Sequence, residues 1–264
     1  MHERERWQII KAMLRERALV RIADVLEATG ASEASVRRDF VKLAETGIGA
    51  RVRGGLEARS NGPSEGGDAP RTFAASSVLN IEAKRAIARA AVELTEDGDT
   101  IIINGGTTTL EMGPFLRDRR LKVLTNSYPL AEMLIRESQC RVALPGGEVY
   151  REERLIVSPF EDDATQHYSA ATMFMSAISV NELGLIEGHP LIARAERKLL
   201  ARARELVVLV DSSKFVARGS LVVCPLSRVS RLITDSGAPP TALEMLRDAG
   251  VSVDIVDVKI AAPA

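Results

Sequence analysis

Thr100-Ile101-Ile102-Ile103-Asn104-Gly105-Gly106-Thr107-Thr108-Thr109-Leu110 decides how this 264-residue chain is read. A short β-branched run stops at Asn-Gly-Gly, and three hydroxyls lead into an expected helix over residues 110–116. Glycines let a backbone approach an anion. Threonine hydroxyls and the free N–H groups of a first helical turn donate to it, and the helix dipole favours its charge. The stretch therefore reads as a strand entering a phosphate cradle for a small phosphorylated molecule, with Asn104, Gly105, Gly106, Thr107, Thr108 and Thr109 as candidate binding residues. It is not a Walker A loop, because no Gly-Lys-Ser/Thr follows, and it lacks the three-glycine dinucleotide spacing. Threonines capping an ordinary strand-to-helix turn are the plainer alternative.

On either side of this stretch the pattern alternates. Ile87, Ala91 and Leu94 share a helix face ahead of it. Beyond it, strands are expected at residues 121–125, 141–144, 172–177, 206–210, 231–234 and 251–256, with helices at 128–136 and near 159–168, 190–204 and 239–249. Such alternation argues for a mainly parallel sheet covered by helices. Ligands of these sheets sit at the carboxyl ends of strands. Asn126, the pair Gly146 and Gly147, and the run Asp211-Ser212-Ser213-Lys214 all fall at such ends. Lys214 follows its strand directly and is placed to neutralise a phosphate. Arg197 and Lys198 on the preceding helix are further candidates, although charges on exposed helix faces are common.

The first 58 residues are organised differently. Trp7, Ile10 and Leu14 mark one helix and Ile22, Val25 and Leu26 a second, ended by Thr29-Gly30. Ser32 caps a third through Thr46, with Val36, Phe40 and Leu43 facing inward. Two short helices joined by a tight glycine turn, the second basic on its outer side, read as a helix-turn-helix. Ser35, Arg37, Arg38 and Lys42 project from the expected recognition helix, and the arginines suit guanine edges and phosphates. The alternating stretch from Ala50 to Ala58 reads as a hairpin wing, with Arg51 and Arg53 on one face. Residues 59–72 contain a Ser/Gly/Pro-rich run and read as a linker.

Composition narrows the classes. The hydrophobic fraction is 45%, mean hydropathy is +0.00, and no apolar run approaches the roughly 18 residues needed to cross a membrane. The charged N-terminus argues against export, so a cytoplasmic protein is expected. Cys140 and Cys224 lie far apart in apolar surroundings, and His2, His167 and His189 are isolated; neither a metal site nor a cofactor is indicated. Net charge is -1, yet residues 1–59 hold twelve Lys/Arg against nine Asp/Glu. That surplus confines any nucleic-acid partner to the N-terminal part.

Taken in order, the motifs resemble those of the DeoR-type bacterial transcriptional regulators. The carriers are Ser32-Glu33-Ala34-Ser35-Val36-Arg37-Arg38-Asp39-Phe40, the wing Arg51-Val52-Arg53-Gly54-Gly55, the loop Asn104-Gly105-Gly106-Thr107-Thr108-Thr109, Thr125-Asn126-Ser127, Leu144-Pro145-Gly146-Gly147 and Asp211-Ser212-Ser213-Lys214-Phe215. The resemblance covers nearly the whole chain. It implies an N-terminal winged helix-turn-helix domain (1–58), a linker (59–72) and a larger α/β sensor domain with a mainly parallel sheet (73–264). It further implies a repressor of a sugar or polyol operon, controlled by a phosphorylated sugar or polyol and binding double-stranded operator DNA as a homo-oligomer. The chain makes three departures from the family pattern. Asn104 replaces the usual Asp, Ser176 the glycine after Phe174-Met175, and Arg197-Lys198 the usual Lys-Arg order, with Ala193 near an often acidic position.

Two rival readings come from other classes. A sugar-phosphate isomerase with an added N-terminal domain would need a positioned carboxylate base, and in the loop Ser176-Ala177-Ile178-Ser179-Val180-Asn181-Glu182 only Glu182 could serve. A sensor acting through a protein partner would use the N-terminal domain for contact instead of DNA.

Overall fold

A computed structural model describes residues 3–16, 19–45, 49–52, 54–58, 73–216 and 219–258. The chain forms two compact units, Met1–Leu79 and Asn80–Ala264. The expected linker at 59–72 lies outside the described residues.

The first unit runs α1 (Glu3–Glu16), β1 (Leu19–Arg21), α2 (Ile22–Thr29), α3 (Glu33–Glu45), β2 (Gly49–Val52) and β3 (Gly55–Ala58), followed by the short α4 (Phe73–Val78). The apolar positions spaced three and four apart converge as expected. Ile10, Leu14, Val25, Val36, Phe40 and Leu43 form one core with Val20 and Leu56. Helix α2 stops at Gly30 (φ +62°), whose N–H closes onto the Leu26 carbonyl. Ser32 opens α3, its carbonyl accepting from the N–H groups of Ser35 and Val36. The hairpin β2–β3 is the expected wing, and β3 also pairs antiparallel with β1 in the order β1-β3-β2. The β1 strand, at three residues, is too short for periodicity to reveal.

A buried polar link ties α1 to α3. Asp39, on the inner side of α3, accepts from Arg6 Nε at 2.7 Å, Arg6 Nη2 at 3.2 Å and Trp7 Nε1 at 3.1 Å. This fastens α1 behind the recognition helix. A buried carboxylate with two charged and one neutral N–H donors is well satisfied.

The second unit opens with α5 (Ile81–Glu93), β4 (Thr100–Ile103), α6 (Thr107–Leu110), β5 (Lys122–Thr125), α7 (Tyr128–Glu137) and β6 (Arg141–Ala143). A hairpin, β7 (Glu148–Tyr150) and β8 (Leu155–Val157), precedes β9 (Ala170–Met175), β10 (Ser179–Asn181) and β11 (Gly184–Glu187). Then come α8 (Pro190–Leu200), β12 (Ala203–Leu209), β13 (Leu221–Cys224), β14 (Arg231–Asp235), α9 (Pro240–Asp248) and β15 (Ser252–Val256). Seven strands form one parallel sheet in the order β15-β14-β12-β9-β4-β5-β6. Alternate residues enter opposite faces, so both faces are apolar. Ile101, Ile103, Phe174, Val207 and Leu209 pack with Ile87 and Ala91 of α5 and Leu130 and Leu134 of α7. Ile102, Met173, Met175, Leu206 and Val208 pack with Leu199 of α8, Leu246 of α9 and the small antiparallel sheet β10-β11-β13.

Strand order reverses between β4 and β9: the chain first builds outward through β5 and β6, then returns to place β9, β12, β14 and β15 on the other side. Crevices outside the carboxyl ends of strands at such a reversal are where open α/β sheets bind ligands. Asn104 and Ser176 stand just past the two strand ends that flank it.

Three expected helices differ. The segment 159–168 holds only a 3-10 turn, Ala164–His167, because the Asp163 carboxylate caps it through the Thr165 N–H at 2.9 Å and takes Lys198 at 2.8 Å. The helix expected through residue 204 ends at Leu200, since β12 claims the chain from Ala203. The helix expected at 110–116 starts earlier, at Thr107, as a single α-turn followed by a 3-10 turn at Gly113–Leu116.

Candidate functional site

In the first unit Arg37, Arg38 and Lys42 are exposed on α3, opposite the core face. Arg37 donates from Nε and Nη2 to Glu33 Oε1 at 2.9 and 2.6 Å, one turn earlier. Arg38 Nε reaches the Ala34 carbonyl at 3.3 Å. Ser35 is half-buried, its hydroxyl 3.0 Å from that of Ser32, and so belongs to the helix start. Arg51 lies on β2, but its side chain falls outside the described residues, as does Arg53 altogether. The helix thus presents a guanidinium pair from a face whose reverse is locked by Phe40, Leu43 and Asp39.

In the second unit the loop after β4 is stitched to its neighbours on both sides. Asn104 is buried, and its N–H donates to the Phe174 carbonyl of β9 at 3.0 Å. Its side-chain Oδ1 accepts from the Ser176 N–H at 3.0 Å, while Nδ2 donates to the Ser176 carbonyl at 3.3 Å and to Glu196 Oε1 at 3.0 Å. On the other side Gly105 N–H donates to Asn126 Oδ1 at 2.8 Å. Thr109 turns its hydroxyl back to the carbonyls of Asn104 and Gly106 at 2.9 and 3.1 Å. Thr108 is buried, and Thr107 is half-buried at the first position of α6.

Both glycines lie directly against neighbouring side chains. A Cβ on Gly105 would lie 1.8 Å from Leu155 Cδ2, and one on Gly106 1.7 Å from Ser176 Oγ. Leu155 comes from the β7–β8 hairpin, which is tied down by Tyr128 N–H to the Arg154 carbonyl and Ile156 N–H to the Asn126 carbonyl. Gly146 and Gly147 (φ +80° and +126°) carry the chain from β6 into that hairpin, and a Cβ on Gly147 would meet the Val157 carbonyl oxygen at 2.4 Å. Their role here is to set the hairpin over the loop.

Charged groups gather nearby. Lys214 is half-buried in the 3-10 turn Ser212–Phe215 after β12. Lys84, on the inner face of α5, is almost fully buried. Burial, with Lys214 pushing the same way, brings its ammonium down to about 8 against the opposing pull of Asp211 and Glu111. Burial likewise raises the carboxyl of Glu153, with Glu187 and Glu152 adding to it and Lys214 opposing. Glu187 is raised by burial although its Oε1 accepts from the N–H groups of Gly188 and His189 at 2.7 and 3.1 Å. Glu196 is pushed well above the usual carboxylate range by burial first and Glu187 second.

Lys198 lines a cleft with Asn126, Pro145, Ser158, Asp163 and Arg194. It is paired with Asp163, which stays below the ordinary carboxylate range despite burial because Lys198 and Thr165 bond it. Arg197 does not join this group. Its guanidinium donates to the carbonyls of Val222 and Val223 and clamps α8 to β13. The expectation that it meets a ligand is corrected accordingly: one residue along a helix turns a side chain by about 100°.

Among the described residues, five buried side-chain polar atoms have no hydrogen-bond partner, and Asn126 Nδ2, His189 Nδ1 and Glu196 Oε2 are three of them. Buried polar groups are normally satisfied, so bare ones near a strand-end crevice point to a ligand. Glu182, the only base that the isomerase reading offered, is exposed beyond β10. Sequence reasoning passed over Lys84 and Glu196, although both interrupt apolar stripes: Lys84 precedes Ile87, Ala88 and Ala91, and Glu196 sits among Ile192, Ala193, Leu199 and Leu200. No group of three or more His, Cys, Asp or Glu suited to a metal ion occurs among the described residues. There too, no helix is long and apolar enough to cross a membrane.

Comparison with known proteins bears on both units. The DeoR-like helix-turn-helix domain matches residues 6–61, and the DeoR C terminal sensor domain matches residues 79–236. The HTH-type transcriptional regulator UlaR of Shigella dysenteriae serotype 1 (strain Sd197) is 33% identical over 255 residues, covering 96% of this chain and 99% of its own. UlaR of Escherichia coli O1:K1 / APEC gives the same identity and coverage. Among solved structures, ribose 5-phosphate isomerase A from Methanocaldococcus jannaschii is 23% identical with a TM-score of 0.39, over 52% of this chain and 55% of that one. The eIF2B beta chain from Chaetomium thermophilum is 15% identical with a TM-score of 0.40, over 58% and 48%. The match thus spans about half of each solved chain.

Proposed function

Because this chain belongs to the DeoR family of transcriptional regulators, we propose that it represses a sugar or polyol catabolic operon and that a phosphorylated sugar or polyol, bound outside the β4 and β9 strand ends, sets its operator affinity. It is a DNA-binding regulator of sugar catabolism and not an enzyme. The observation that carries the effector reading is the Asn104–Gly106 loop at the strand-order reversal, bonded from both sides and flanked by bare buried atoms of Asn126 and Glu196. Lys214, coupled electrostatically to Lys84 and Glu187, offers the positive charge that a phosphate needs.

The DNA reading assigns Arg37, Arg38 and Lys42 of α3 to the major groove, and Arg51 and Arg53 of the wing to the backbone. One small winged unit offers limited contact area, and symmetric pairs read paired half-sites, so a homo-oligomer is part of the proposal. The domain limits proposed with it are 1–58 for DNA and 73–264 for the sensor, although α4 (Phe73–Val78) clusters with the first compact unit. An effector changes DNA affinity only through its differential affinity for two conformations, typically about 1–3 kcal/mol of coupling.

The test is thermal stabilisation of the purified protein by phosphorylated sugars and polyols and by their unphosphorylated parents, repeated on Lys214→Ala. Binding to the native state raises Tm by mass action. The expected result is a phosphate-dependent shift that the substitution removes. No preference for phosphate anywhere in the panel would sink the effector reading and leave the DNA-binding function standing.

A further inference from the structure

Helix α8 buries a carboxyl that its packing does not need. Glu196 is 3% exposed and shares the inward stripe with Ile192, Ala193, Leu199 and Leu200, where an apolar side chain would serve the core better. One oxygen is used: Oε1 accepts from Asn104 Nδ2 at 3.0 Å. The other, Oε2, is buried without a partner.

Asn104 cannot supply that partner. Its second N–H goes to the Ser176 carbonyl, and its Oδ1 takes the Ser176 N–H. Both of its N–H groups are therefore used, and its orientation is fixed by the network. Across the same loop, Asn126 is oriented by Gly105 N–H on its Oδ1, which leaves Nδ2 as a buried donor, also without a partner. A donor and a carboxyl oxygen thus lie bare on the two flanks of adjacent residues, Asn104 and Gly105. Inorganic phosphate at neutral pH is chiefly an acceptor. A molecule that satisfies both flanks carries both an acceptor oxygen and a hydroxyl, as sugars and polyols do.

We propose that Glu196 is a specificity-determining residue of the sensor pocket, its Oε2 hydrogen-bonding a hydroxyl of a polyhydroxylated phosphate ester while Asn126 Nδ2 donates to a neighbouring oxygen of the same molecule. The inference rests on reading the Asn104–Gly106 loop as the effector site. It adds which chemistry beyond phosphate the site selects: a site built to bond a hydroxyl strongly disfavours the analogue that lacks it. The amide at position 104 belongs to the same device. A carboxylate there would face Glu196 with no N–H to offer.

The probes are inorganic phosphate, ribose 5-phosphate, 2-deoxyribose 5-phosphate, glucose 6-phosphate and 2-deoxyglucose 6-phosphate, with affinities measured by calorimetry on wild type, Glu196→Leu and Glu196→Gln. Wild type should bind at least one hydroxylated ester about tenfold or more tightly than its deoxy partner. Glu196→Leu should lose that preference and keep its affinity for inorganic phosphate. Undiminished discrimination in a folded Glu196→Leu would overturn the role of Glu196 and leave the effector site intact. If wild type binds none of the esters, the effector site falls, and the inference with it. Should the leucine variant not fold, the carboxyl carbon resonance of Glu196 in labelled wild type decides. It should shift with the hydroxylated ester and stay put with inorganic phosphate, and an unchanged resonance in the bound state would overturn the proposal.

Discussion

The two units present polar groups to their partners in opposite ways. On α3 the reading groups, Arg37, Arg38 and Lys42, stand in solvent, and the buried polar group is a fastener, Asp39 with Arg6 and Trp7. Around the β4 loop the groups proposed to meet a ligand, Asn126 and Glu196, are themselves inside, as are Asn104 and Thr108. Duplex DNA offers phosphates and base edges to a protruding helix, so long side chains can be ordered on contact. A small molecule must be enclosed, and its partners are desolvated and oriented before it arrives. In the first unit, then, recognition and stability reside in different residues. In the second, the proposed recognition groups are themselves part of the packed interior.

The hardest test of that contrast is Asp39→Ala. It leaves the Arg6 guanidinium and the Trp7 N–H without their buried acceptor, a loss of about 3–5 kcal/mol for a broken buried pair. Trp7 is the only tryptophan in the chain. Its fluorescence should therefore report a much lower melting temperature for the first unit, while far-ultraviolet dichroism still shows the second unit melting as before. A simultaneous drop in both signals would erase the separation.

Next in size, Arg37→Ala and Arg38→Ala should each weaken operator binding by about 1–3 kcal/mol where the contact is bidentate. Stability should change by less than about 0.5 kcal/mol, since the Arg37–Glu33 pair is exposed and spaced i, i+4. Gel retardation that ignores both substitutions together would favour a protein partner over DNA.

The most gradual effect concerns pH. Glu187 and Glu196 hold protons in the folded chain at pH values where the unfolded chain, near 4.5, has released them. Their contribution to stability is full below about pH 4.5 and is lost as pH rises through the raised native values. Urea titrations should show the second unit weakening over that window and Glu196→Gln weakening less. Identical slopes for the two proteins would mean that Glu196 is not a titrating member of the core.

Much of this was legible in the chain. Strands buried on both faces appear as runs such as Ile101-Ile102-Ile103 and Leu206-Val207-Val208-Leu209, and a seven-stranded parallel sheet follows from their spacing. The short strands β1, β7, β8, β10, β11 and β13 lie outside the regular alternation of apolar runs and helical stretches that marked the equally short β4, β5 and β6. The site was half legible. Glycines and threonines announce a loop by composition, whereas Glu196 looks like one more charge beside Arg194, Arg197 and Lys198 until the helix is wrapped onto the sheet. Counting which charges interrupt an apolar stripe would have singled out both Glu196 and Lys84. Arg197 and Lys198 part company because adjacent residues on a helix are turned by about 100°: Arg197 clamps β13, while Lys198 lines the cleft with Asn126.

The strand-order reversal also governs how the protein comes off the ribosome. β4 pairs with β5 locally, but its other edge waits for β9, with Ile101 meeting Thr172 and Ile103 meeting Phe174. Until those later residues emerge, the nascent chain carries an open, isoleucine-rich edge, the kind of surface that recruits foreign strands. Closing that edge brings Ser176 to Asn104, where the two are joined by hydrogen bonds. A molecule that binds there consequently selects for chains whose synthesis and closure are finished, and a truncated product ending near residue 150 would be prone to aggregate and deaf to the signal.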